Sequence, residues 1–261
     1  MLEEEFAAIP NSKQEIHPSV YNYLIDIYTR GEEMKYFPKI LIIACTFTVI
    51  AFMLGIICTW YANTSHSKKP ITTLHQAAED GNVEVIVSLL SKGADINAKN
   101  KKGYSVLMDA ILYGRAKAIK LLIEKGADVN VKGPYGSTAL MTATFSGNSE
   151  AIKLLIEKGA NVNAQANNGS TSLIIAAQKG NSAILKLLIE NGADINVMHV
   201  NGMTPLIYMS SWGSVESVKL LISKKADINV KDAEGNTALS MAIKNNCTEI
   251  ITLLRKAGAK E

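Results

Sequence analysis

The sequence predicts an all-helical repeat solenoid of about six 33-residue helix-turn-helix units, preceded by a single transmembrane helix. Three observations predict it. The segment Gly126-Ala127-Asp128-Val129-Asn130 has counterparts at Gly93–Asn97, Gly159–Asn163, Gly192–Asn196 and Lys225–Asn229, each 33 residues from the next. Leu89, Leu122, Leu155, Leu188, Leu221 and Leu254 keep the same period, as do Gly81, Gly114, Gly147, Gly180, Gly213 and Asn246. The third observation is a run of twenty residues without a charge, Ile40 to Thr59. A fixed period of this length marks an array in which each unit buries its apolar face only against its neighbours.

Taken in order, residues 1–39 read as an N-terminal tail, with Glu3-Glu4-Glu5 at its start and Pro10, Pro18 and Pro38 along it. It suits either a flexible segment or one short amphipathic helix. That helix would be capped by Ser19, with Val20, Tyr23, Leu24, Ile27 and Tyr28 on one face and Gly31 at its end. No activity is assigned to it.

Residues 40–61 read as the transmembrane helix. Twenty residues at ~1.5 Å each span roughly 30 Å, the thickness of the hydrocarbon layer. Tyr36 and Phe37 on one side and Trp60 and Tyr61 on the other fall where aromatic rings favour the membrane interface. A buried core helix is the competing reading, but a repeat stack has no interior for a helix apolar all round. A cleavable signal peptide does not fit a run that starts at residue 40 and continues into Cys58-Thr59-Trp60-Tyr61-Ala62. Ile42-Ile43-Ala44-Cys45 resembles a lipoprotein box, yet it lies too near the start of the run to follow a hydrophobic segment. Arg30, Lys35 and Lys39 precede the span and Lys68 and Lys69 follow it. Three cations against two lean toward an inside N-terminus, with the repeats on the outer side of the membrane. Ala51 and Gly55 form a small-xxx-small pair suited to weak self-association. Residues 62–70 are small and polar and read as a linker.

Residues 71–261 are the repeat domain, with units at about 71–99, 100–132, 133–165, 166–198, 199–231 and 232–261. In the third unit Ser137 to Phe145 reads as a short helix closed by Gly147. Asn148 to Lys158 places Ile152, Leu155 and Ile156 at helical spacing, and Gly159 closes that second helix. Lys225 stands where the other units have Gly, so it is expected in the left-handed conformation.

Little else in the chain points to chemistry. A net charge of +3 is too small to indicate nucleic acid. Three Cys, two of them inside the apolar run, form no disulfide framework. The four His share no metal-ligand spacing, and no Gly-rich loop follows a strand to cradle phosphate. Asp95, Asp128, Asp194 and Asp227 recur with the scaffold period, so they are expected to bind successive turns together. Lys99, Lys101 and Lys102 read as a solvated turn tip. Cys247 begins a helix but has no His base near it in sequence. No enzyme, metal or cofactor is expected.

At the level of motifs the chain resembles the ankyrin repeat family, whose units carry Thr-Pro-Leu-His-x-Ala-Ala, then Gly, Leu-Leu and Gly-Ala-Asp-x-Asn. The resemblance covers 71–261. Thr204-Pro205-Leu206 keeps the first motif best. His75 is the only His at its last position, held elsewhere by Met108, Met141, Ile174, Ile207 and Ser240, which are expected to keep that site buried. Ser88 and Arg255 replace apolar residues in the end units, as terminal repeats require.

The resemblance implies a stack that binds protein partners through its concave side, lined by turn tips and first helices. Counted from the motif, the variable positions there are Asp109, Leu112, Tyr113, Thr142, Phe145, Ser146, Ile175, Gln178, Lys179, Tyr208, Ser211 and Trp212. The expected contact residues are Tyr104, Tyr113, Tyr135, Phe145, Lys179, Tyr208 and Trp212, because aromatic side chains dominate binding hot spots. The function this implies is a membrane-tethered interaction scaffold for unknown protein partners. The alternative is a regulator or inhibitor of a partner enzyme at the membrane. A channel does not fit one span without an intramembrane charge.

Overall fold

The computed structural model describes residues 73–260. The tail, the apolar run and the linker lie outside those residues. Among the described residues no helix is long and apolar enough to cross a membrane.

Among the described residues twelve α-helices form six pairs. They are α1 Leu74–Asp80, α2 Val83–Ser91, α3 Val106–Leu112, α4 Ala116–Glu124, α5 Ala139–Phe145, α6 Ser149–Glu157, α7 Ser172–Gln178, α8 Ser182–Glu190, α9 Pro205–Ser211, α10 Val215–Ser223, α11 Ala238–Lys244 and α12 Thr248–Lys256. No strand accompanies them among the described residues, only an isolated antiparallel bridge between Lys99 and Ser105.

Each pair begins the same way. The hydroxyls of Thr73, Ser105, Thr138, Thr171, Thr204 and Thr237 accept the N–H three residues on, capping the first helices. This satisfies a backbone donor that the helix itself cannot. The predicted period is thus the period of real helix pairs, and the closing residue of each second helix explains the recurring Gly. Lys225 has φ 66, the left-handed conformation expected of it.

The core is a line of apolar layers. Leu122, Leu155, Leu188, Leu221 and Leu254 are fully buried, each contributing roughly 1.5–3 kcal/mol. Ala77, Ala110, Ala143, Ala176 and Ala242 are equally buried, and their small side chains let neighbouring first helices approach closely. First helices pack against one another more extensively than second helices do. The first helices therefore form the inner arc and the second helices the outer arc.

Two expectations are corrected here. The recurring Asp residues do not join repeats. Asp95, Asp128, Asp194 and Asp227 each accept the N–H two residues on, inside their own turn. The joining residue is the Asn of the same motif. Asn97, Asn130, Asn163, Asn196 and Asn229 accept the N–H of Asp128, Asn161, Asp194, Asp227 and Lys260 in the next unit, at 2.8–2.9 Å. Asn130 and Asn163 also donate to the carbonyls of Gly159 and Gly192. An amide carries donor and acceptor on one head, which a carboxylate does not. Second, Ser240 is exposed, not buried. In the last described unit it closes a reciprocal cap with Thr237 instead. Met108, Met141, Ile174 and Ile207 are buried as expected.

Candidate functional site

The candidate site lies at the C-terminal ends of the first helices and at the turn tips. Helix α5 ends at Phe145, which is 59% exposed, and Ser146 caps the helix. The Lys179 ammonium sits 3.8 Å from the centre of that ring. A cation in that position is attracted by the negative face of the ring by about 0.5–1 kcal/mol at an exposed site. Lys179 caps α7 and is followed by Gly180, with φ 65. Gly180 is a close-approach position: a Cβ there would lie 3.2 Å from the Trp212 indole of the next repeat. Trp212 is nevertheless 60% exposed. Beside it the Gln178 side-chain amide donates to the Tyr208 hydroxyl at 3.0 Å.

Four of the seven predicted residues, Phe145, Lys179, Tyr208 and Trp212, therefore form one connected patch over repeats three to five. Gln178 and Gly180 complete it. Gln178 was legible as a variable position, whereas the role of Gly180 had no signal beyond its periodicity.

The other three stand differently. Tyr113 is 52% exposed at the end of α3. Tyr104 is half-buried and packs on the core, as Tyr208 of the patch also does, so both are partly structural. Tyr135 is 85% exposed at a turn tip and has φ 55. With Gly136 at φ 76 and Ser137 donating to the Pro134 carbonyl, this is a primed turn carrying a tyrosine in a left-handed conformation. A non-glycine residue there costs roughly 1–2 kcal/mol.

Two variable positions prove to be internal. Thr142 is buried and donates to the Thr138 carbonyl. Asp109 is 3% exposed; its carboxylate lies 2.6 Å from His75 Nδ1 and accepts from Asn100 Nδ2. It joins repeats one and two and is withdrawn from the surface, because a buried carboxylate requires such partners.

Among the described residues no three His, Cys, Asp or Glu side chains converge as metal ligands. Cys247 is half-buried at the start of α12, against Gly213. Among the described residues two titrating groups are shifted, both away from the patch. Burial pushes the Asp232 carboxyl up, but hydrogen bonds from the Asn236 side chain and nearby N–H groups outweigh it and hold it below the ordinary value. The Glu249 carboxylate, 2.8 Å from Lys219, raises that ammonium above its usual value.

Comparison with known proteins bears on the whole array. A family model described as ankyrin repeats (3 copies) matches residues 41–133, 130–199 and 173–261. Among solved structures, an ankyrin repeat domain from Acinetobacter baumannii AYE is 31% identical. That match covers 72% of this chain and 98% of the other, with a TM-score of 0.67. No curated protein sequence matches.

Proposed function

The chain belongs to the ankyrin repeat family, whose stacks serve as protein-interaction scaffolds, and on that premise we propose that it is a membrane-tethered scaffold. Its inner face holds a protein partner, and the connected patch of Phe145, Lys179, Tyr208 and Trp212 is the centre of the contact. The observation that carries this reading is the exposure of Phe145 and Trp212, 59% and 60%, in a chain with only 6% aromatic residues. Large rings left in water in one place are costly to solubility and suit an interface. Support for the tether is the charge-free run from Ile40 to Thr59, and the three-against-two balance of flanking cations favours repeats on the outer side.

The test is photo-crosslinking from defined positions in native membranes. A photoreactive phenylalanine at position 145 or 212 is expected to crosslink a protein partner, whereas one at Lys186, on the outer arc, is not. Crosslinks from 186 alone would move the interface to the other side. In the same membranes the chain is expected to stay in the pellet through alkaline washing; release by the wash removes the tether. Loss of a captured enzyme's activity on binding would identify the partner as one that the scaffold inhibits.

A further inference from the structure

The inner side differs from the outer in the sign of its charge. On the inner side of repeats two to five, at turn tips and first-helix ends, the exposed ionic side chains are all cations: Lys99, Lys101, Lys102, Lys132 and Lys179, with Arg115 in the turn after α3. The single carboxylate among those positions is Asp109, which is buried and committed to His75 and Asn100. Carboxylates return only at the two extremes, Glu79 and Asp80 in the first repeat and Asp232 and Glu234 in the sixth. The outer arc, by contrast, carries both signs, with the pairs Lys120–Glu124, Lys186–Glu190 and Lys219–Glu249 along it.

Resting on the scaffold reading above, we infer that the partner presents an acidic, extended peptide segment to this face. Its carboxylates pair with Lys179 and with the Lys101–Lys102 tip, and its apolar residues pack on Phe145 and Trp212. Lys179 is the discriminating group. A lysine on the surface ordinarily loses rotamer freedom when it pairs with a carboxylate. Here the Phe145 ring already holds the ammonium at 3.8 Å from its centre, so much of that ordering is complete before the partner arrives. The ring occupies one side of the ammonium, which has three N–H donors, and leaves donors directed to solvent. The missing inner-side carboxylates are the second half of the recognition. Nothing on this face repels an acidic segment, and nothing pairs with a basic one. A nucleic acid is the other polyanion, and the oligonucleotide arm of the test below separates it from an acidic peptide.

The test uses the full chain in detergent solution and three fluorescent peptides of equal length. They share the same spaced leucine and proline residues and carry glutamate, glutamine or lysine between them; an oligo-thymidine strand is the fourth probe. The glutamate peptide is expected to bind about tenfold tighter than the glutamine peptide, with the advantage shrinking as salt is raised. The lysine peptide and the oligonucleotide are expected to be weaker still. Lys179→Glu should erase the preference for glutamate, and Lys186→Glu on the outer arc should leave it intact, with melting unchanged in both. Equal binding of the glutamate and glutamine peptides, both lost in Trp212→Ala, overturns acidic selection while the scaffold surface stands. Binding indifferent to Trp212→Ala overturns the surface itself. Preference for the oligonucleotide, or no peptide bound at all, likewise overturns the acidic partner.

Discussion

The two ends of each first helix obey different rules. At the N-terminal end the six residues are Thr73, Ser105, Thr138, Thr171, Thr204 and Thr237, all hydroxyls doing one task for a backbone N–H. Just past the C-terminal ends of α3, α5, α7, α9 and α11 stand Tyr113, Ser146, Lys179, Trp212 and Asn245, and no two are alike. Little more than two turns of helix separate the two sets. At one end the fold requires a particular atom in a particular place. At the other the side chains face water, so the fold leaves their identity to whatever the surface must recognise.

That contrast is open to attack from both ends, starting with the larger effect. Thr171 is 1% exposed and Ile174, whose N–H it accepts, is fully buried. Thr171→Ala is expected to lower stability by about 2 kcal/mol in a urea melt. It should leave peptide affinity unchanged once the protein is folded. A melt unaffected by the change would show that the cap end is not held as described.

From the opposite end, Phe145→Ala and Trp212→Ala should each weaken partner binding by more than about 1 kcal/mol with the melt nearly unchanged. Trp212 is the sharper case because its ring also lies against Gly180. If stability and binding fall together, the ring belongs to the scaffold and the contrast between the ends fails at that repeat.

The smallest expected effect concerns the turn that closes each second helix. Lys225→Gly relieves a left-handed residue with φ 66 and should raise stability by roughly 1 kcal/mol; Gly192→Lys should lower it by a similar amount. A lower urea midpoint for Lys225→Gly with unchanged slope would mean that position 225 prefers another conformation in solution.

Much of the stack is legible in the sequence because its constraints repeat. A period of 33 residues carries caps, core leucines and closing glycines at once, and each second helix lies where its apolar spacing places it. The misreadings fall where the constraint is a contact between units. Asp109 looks like one more variable surface position, and only its approach to His75, 34 residues back, takes it inside. Asp128 and Asn130 share a motif, and nothing in their spacing tells which one reaches the next repeat. The left-handed Tyr135 follows from Gly133 and Pro134 replacing the turn found in the other units, a substitution visible in sequence but without a predictable geometry. At the candidate site Phe145 and Trp212 were legible as aromatic residues out of place. Their linkage through Lys179 and Gly180 was not, because it depends on distances across neighbouring repeats.

Unequal packing of the two arcs has an elastic consequence. Inner helices meet closely through alanines, while the outer helices touch over less of their length. The stack is therefore stiff along its inner line and compliant along its outer one, and its soft deformation is a change of curvature about the inner row. A segment bridging Phe145 and Trp212 spans two junctions on the stiff line and clamps their angle. The outer helices of repeats three to five would then lose their breathing motion, although nothing has touched them. Slower amide hydrogen exchange in α6, α8 and α10 on binding would be the trace of that clamp.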